Sequence, residues 1–386
     1  MSVTGTGIAG NSAIQTITNG TTFTVSLATI ALGTASTLTF NAALTSAGTA
    51  IYLDEYLPGT ALQTLPNYTV TLPSSGSAGI VAGGATASSG AISRSENGRY
   101  ILVPGWSTGA GGAAIGAPNT SNILCAVKPI SGSGSIQTGI TGASNWFTAA
   151  NDFRDVTSED LTNYWLSGAS IGIRTTTNGT ALTTISTTST NTRSVNIING
   201  QLYYSTWSET QGVYKVGLGK PTATSTTSVN LTTSTGAYGF ALSPDFLTLY
   251  TNSATRVISR FTYSGKYNAG SGTPSGGLWS AASTGITLSG ATGVAVDWSG
   301  YTFGTGANVA VIYVCNATML VKGNDNGTGA VATTTLATLT GLNTFKQIAF
   351  SPIQQTVAKG LSTPGTGNIT ANTNNNALFQ INLAVN

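Results

Sequence analysis

The chain has no histidine among its 386 residues and only 11 carboxylates, so the side chains able to move a proton can be followed one by one. Without imidazole, Ser-His-Asp and Cys-His arrangements and histidine metal sites are ruled out. Any general base must be a carboxylate, a lysine, a tyrosine or a cysteine. Four of the acids fall in one stretch, "NDFRDVTSEDLTNYW": Asp152, Asp155, Glu159 and Asp160. Paired acids can cleave glycosidic bonds or hold Ca²⁺ through oxygen ligands. Their spacing is not that of an EF-hand loop, and two of them fall where a hairpin turn is expected. A solvated, turn-forming role is therefore the leading reading, Ca²⁺ the second and catalysis the third; no other cofactor is expected. Asp54 and Glu55 in "YLDEYL" point to opposite faces of a strand and cannot act as a facing pair.

Binding chemistry has a few further candidates. Arg154, Arg193, Tyr238 and Lys346 each stand just before a similar short apolar run. If those runs are equivalent strands, the four side chains gather at one end and offer a shallow anionic or sugar-binding site; the plainer reading is that each bonds a neighbouring backbone. Trp146 in "GASNWFTAAN" and Trp279 in "SGGLWSAAS" lie in loop-like context and are the candidates for an exposed platform against a sugar ring, with a place in the core expected at least as much. The glycine-rich string "GWSTGAGGAAIG" does not sit between a strand and a helix, so a nucleotide cradle is not expected.

The elements that must position these groups are strands. Thr, Ser, Gly and Val dominate, no long segment has apolar residues at helical spacing, and 49 glycines punctuate the chain. A recurring layout of small-residue strand, polar turn and aromatic-rich strand starts at Ser88 ("SSGAISRSENGRYILVPG") and returns at Phe153, Thr192, Ala237, Ala291 and, degraded, at Phe345. The groups Glu96-Asn97-Gly98, Ser243-Pro244-Asp245 and Asp297-Trp298-Ser299-Gly300 read as the hairpin turns. Irregular spacing of about 39 to 65 residues fits four-stranded units with variable loops. The expected fold is all-β: a β-propeller, seven-bladed if the stretch from Ser36 to Asn67 adds a unit, closed by N- and C-terminal strands. Residues 1–40 are expected to be a strand segment that completes the ring or is exchanged with a neighbour, and residues 41–386 the propeller. A pair of β-sandwiches, or six or eight blades, are the alternatives.

Composition narrows the partners. Charged residues are 6% of the chain, against about 25% in ordinary globular proteins. No Lys or Arg precedes Arg94 and none cluster, so nucleic acid is not an expected partner. A neutral surface is cheap to desolvate and suits packing against copies of itself or against neutral glycans. No 18-residue apolar run is present, so no membrane span is expected, and no signal peptide is visible. Cys125 and Cys315 each sit in an apolar stretch and are expected to be buried free thiols rather than a disulfide.

The strings "AIYLDEYLPGTALQTLPN", "SSGAISRSENGRYILVPGW" and "TRSVNIINGQLYYST" with "QGVYKVGLGKPT" carry a resemblance. Over roughly residues 45–355 the chain resembles a group of uncharacterised secreted bacterial β-propeller proteins, which have comparable V-F-L-D-E-Y, S-x-x-G-R-Y and R-S-V-x-I-x-x-G-Q-L-Y segments. The resemblance implies a propeller in an extracellular or cell-surface setting and supplies no site. Many such proteins end in an anchoring segment, which "FQINLAVN" does not resemble. Taken together, the leading expectation is a non-enzymatic extracellular structural or adhesive protein that self-assembles into a filament or surface lattice. A carbohydrate-binding, lectin-like propeller and a carboxylate-dependent glycosidase or lyase are the alternatives.

Overall fold

The computed structural model describes residues 47–353 except 84–88, 112–114, 116–122, 143–145, 148–152, 208–209, 225, 233–236, 253–256, 269–272, 303–309, 328 and 340–342, together with five outlying strands. Four of these come first: β1 (Ser2–Thr4) pairs with β4 (Thr39–Asn41), and β2 (Ile14–Asn19) with β3 (Thr22–Val25). Next are β5 (Gly48–Tyr56), β6 (Tyr68–Thr71) and β7 (Val81–Gly83). No helix occurs among the described residues.

From β8 onward the chain repeats an antiparallel four-stranded unit. The first unit is β8 (Ser93–Arg94), β9 (Tyr100–Ser107), β10 (Leu124–Ser131) and β11 (Ile140–Thr141). The second is β12 (Phe153–Ser158), β13 (Tyr164–Gly168), β14 (Ile173–Thr176) and β15 (Thr183–Ser186). The third is β16 (Thr192–Ile198), β17 (Gln201–Thr206), β18 (Gly212–Val216) and β19 (Ser228–Asn230). In the fourth, β20 (Phe240–Leu242), β21 (Thr248–Asn252) and β22 (Ile258–Tyr263) are followed by a hairpin of β23 (Lys266–Asn268) and β24 (Thr273–Ser275) before β25 (Trp279–Thr284) completes the sheet. The fifth is β26 (Gly293–Asp297), β27 (Ala310–Cys315), β28 (Met319–Asp325) and β29 (Thr333–Thr338).

The sixth unit draws on both ends of the described chain. β30 (Thr344–Phe350) pairs with β31 (Leu378–Ala384), β31 with β5, and β5 with β6. The stretch from Ser36 to Asn67, expected as a seventh unit, thus contributes β5 to this sheet; among the described residues the second to fifth units are separate four-stranded sheets, and the sixth and first belong to one nine-stranded sheet. β7 bridges the same β5 to β9, joining the sixth unit to the first.

Local chemistry explains the hairpins. Asn199 (φ 47°) and Gly200 (φ 76°) form the two-residue turn between β16 and β17, with both central residues left-handed as such a turn requires. Gly98 (φ 74°) turns β8 into β9, where its amide donates to the Ser95 carbonyl at 2.8 Å. The apolar side chains bury between units rather than within them. Trp165, Ile173 and Ile185 of the second unit pack with Val195, Tyr204 and Tyr214 of the third. Tyr250 and Ile258 of the fourth pack with Val294 and Ile312 of the fifth. Ile51 and Leu53 of the sixth pack with Ile101 and Val103 of the first. Small inner strands and bulky second strands are what such face-to-face sheets need, which is the pattern the sequence repeats.

Candidate functional site

The first strands of all six units line one cavity of about 290 Å³, reached by Arg94, Asp155, Asn196, Ala241, Ala295 and Gln347 among others. Its polar surface consists of Ser, Asn and Gln side chains with one guanidinium and two carboxylates, Glu96 and Asp155. The repeat explains this: Asp155, Ser194, Gly239, Gly293 and Gln347 each follow directly after Arg154, Arg193, Tyr238, Thr292 and Lys346 at the head of an inner strand. One unit alone places a carboxylate at that position.

Asp155 is 2% exposed. Bulges in both neighbouring strands, at Phe153/Asp155 and Thr192/Val195, re-aim the local backbone. Its Oδ1 accepts from the Val156 amide at 2.8 Å and its Oδ2 from the Val195 amide at 3.0 Å, so one carboxylate ties the second unit to the third. Burial raises its pKa, hydrogen bonds from Val195, Val156 and Ser194 hold it back, and the balance is a carboxyl pushed up to about 7. Such a group can both give and take a proton near neutrality.

At one mouth of the cavity the hairpin turns of three units converge. Glu96 accepts from the Gly200 amide through Oε1 and from Lys220 through Oε2 at 3.2 Å, and Lys220 also donates to Glu159 at 2.5 Å. Arg94, whose pKa burial lowers, donates to the Ser351 carbonyl at 3.4 Å. At the opposite end Arg193, Tyr238 and Lys346 come together, with the Arg193 guanidinium 5.0 Å above the Tyr238 ring. The space between them is only about 10 Å³, room for about one water molecule. Three of the four residues expected to gather at one end thus do so, around a narrow space. Arg154 does not line the space between Arg193, Tyr238 and Lys346; it is buried and donates to Asn191 at 2.5 Å and to the Thr192 carbonyl at 2.7 Å, the plainer of the two expected roles.

The remaining candidates separate. Asp152 lies outside the described residues. Asp155 faces the cavity, Glu159 pairs with Lys220, and Asp160 accepts from the Thr162 amide in an exposed turn. Among the described residues no three His, Cys, Asp or Glu side chains are grouped to hold a metal ion. Of the two readings of Trp146, surface platform or core, the second holds: its indole donates to the Gly179 carbonyl at 2.7 Å and its fully buried ring stands edge-on to Phe153 at 5.2 Å. Trp279 does reach the surface, half-buried and 5.5 Å from the Tyr263 ring. Cys125 and Cys315 are buried free thiols, and burial pushes the Cys125 thiol up to about 12. Sequence reading passed over Asn196, Gln347 and Lys220; superposing the heads of the repeated units would have found the first two.

No family model and no curated protein matches the chain. Solved structures do. A gluconolactonase from Xanthomonas campestris is 10% identical with a TM-score of 0.46, over 87% of this chain and 98% of that one. Sqt1 of Chaetomium thermophilum, bound to the N-terminus of ribosomal protein L10, is 14% identical with a TM-score of 0.36, over 69% and 68%. Both are propeller-like proteins, and the likeness concerns the all-β fold alone. A gluconolactonase is an enzyme, which conflicts with the expected non-enzymatic structural or adhesive role; that expectation is withdrawn, and at 10% identity no activity passes to this chain.

Proposed function

We propose that the six units close into a ring and that its central cavity takes a neutral, hydroxyl-rich small molecule of the sugar class, on which Asp155 acts as proton donor and acceptor. Ring closure is supported by β31, which pairs with both β30 and β5, and by the apolar cluster shared between the sixth and first units. The observation that carries the ligand reading is the cavity lining: the hydroxyls of Ser93, Ser95 and Ser194 and the amides of Asn196, Asn199 and Gln347, from the first, third and sixth units, around a single buried carboxylate. Its volume of about 290 Å³ lies at the lower end of ligand pockets, which suits one or two sugar rings.

Neutral donors and acceptors recognise hydroxyls without the desolvation that ions cost. Hydrolysis or elimination at a sugar needs an acid and a base. Asp155, titrating near neutrality, fills the first role, and Glu96, ion-paired to Lys220 in the same cavity, is the second carboxylate. An extracellular setting belongs to the same reading, supported by the nearly uncharged composition.

The test is turnover of a panel of aryl glycosides and neutral oligosaccharides by the full chain and by Asp155→Asn. The variant is expected to lose roughly 100-fold or more in kcat while KM changes little. Equal turnover by both proteins would refute the role of Asp155.

A further inference from the structure

A second opening, which shares only Leu242 with the lining of the central cavity, lies between residues of the third and fourth units; its volume is about 510 Å³. Its walls are aromatic. Tyr203 packs on Phe246 at 6.1 Å on the inner side, and Tyr263 and Trp279 stand 5.5 Å apart on the outer side. The rim adds the exposed Leu278 (79%) and Val229 (59%). Register explains why one cation stands among these rings: Tyr203 pairs with Lys215, and Lys215 with Val229, so the three side chains form a row across β17, β18 and β19 on one face.

Lys215 has no ion-pair or hydrogen-bond partner among the described residues, and no carboxylate lines the opening. The chemistry is that of an apolar slot with one positive charge at its edge. An isolated ammonium beside such a slot attracts a single negative charge, and the aromatic walls select an apolar body behind it. We propose that this cleft binds a small amphipathic monocarboxylate, with its apolar part between Trp279 and Phe246 and its carboxylate on Lys215. The site is independent of the central cavity and of Asp155.

Isothermal titration of the full chain with 1-naphthoate tests it, with 1-naphthalenemethanol as the uncharged counterpart and cellobiose as the neutral sugar. Naphthoate is expected to bind with a Kd between roughly 10 µM and 1 mM, as a ligand of this size allows. Lys215→Met, which keeps the aliphatic stem, should weaken naphthoate about tenfold or more and leave the alcohol within about threefold. Leu278→Asp, at an exposed position that perturbs no core, should weaken naphthoate more than the alcohol. Asp155→Asn should bind naphthoate as the parent chain does. Absence of naphthoate binding, an unchanged affinity in Lys215→Met, or displacement of naphthoate by cellobiose would each overturn the proposal.

Discussion

Asp155 makes three hydrogen bonds and still titrates near 7, because removal of water from a carboxylate outweighs what two amides and a hydroxyl return. This has a measurable sign. A carboxyl whose folded pKa (about 7) exceeds its ordinary 3.8 holds its proton more tightly in the folded chain. Its stabilising contribution is therefore complete below pH 3.8 and is lost as pH rises through 7. The upper bound is on the order of 4 kcal/mol. Thermal melts of the parent chain are expected to show falling stability between about pH 4 and 8, and Asp155→Asn should flatten that slope; parallel profiles would rule the assignment out. Trp146 makes a different point. Its setting among Gly, Ala, Ser and Asn reads as a surface loop, yet the ring is enclosed by Phe147 and Phe153. Trp146→Ala should cost about 3–5 kcal/mol in urea unfolding, and a loss below about 1 kcal/mol would mean that the ring is not packed as described.

Between elements, polar groups bridge neighbouring sheets where apolar packing leaves gaps. Tyr250 of the fourth unit donates to Asp325 of the fifth at 2.6 Å, and Arg260 lies 3.5 Å from the same carboxylate while donating to the Gly327 carbonyl. Burial and then Asp325 push the Tyr250 phenol up from its usual range. Asp325→Ala leaves the buried Arg260 without its counter-charge and should cost about 3–5 kcal/mol, read from the shift in the urea midpoint. The heads expected near Arg154, Arg193, Tyr238, Thr292 and Lys346 fall within about two residues of the first strands observed, and that expected near Ser89 falls about four residues before β8, because turn residues and strand alternation are local signals. The C-terminal strand was expected to share a sheet with an N-terminal one, and β31 does pair with β5, but nothing in "AIYLDEYL" specifies which edge it joins about 320 residues along the chain. Likewise Asp155 stood out as an acid, but the bulges that aim it inward leave no mark in strand alternation. The cleft beside Trp279 depends on how far two sheets diverge, which is a property of their packing.

For the molecule as a whole, β31 is the piece on which the sixth unit turns: it satisfies the backbone edges of β30 and β5 at once. A chain ending at residue 377 should lose its cooperative melt, and a synthetic peptide of residues 378–386 should restore it by adding the missing strand. A truncated chain that melts like the full one would refute this dependence. The arrangement also sets a timetable for biosynthesis. β5 leaves the ribosome about 320 residues before β31, which at roughly 5–20 residues per second is on the order of 15 to 60 s with one sheet incomplete. Joining the termini and opening the chain between β29 and β30 would have β30 and β31 made first, with only β1–β4 between them and β5 and β6, so that this sheet could assemble early in translation.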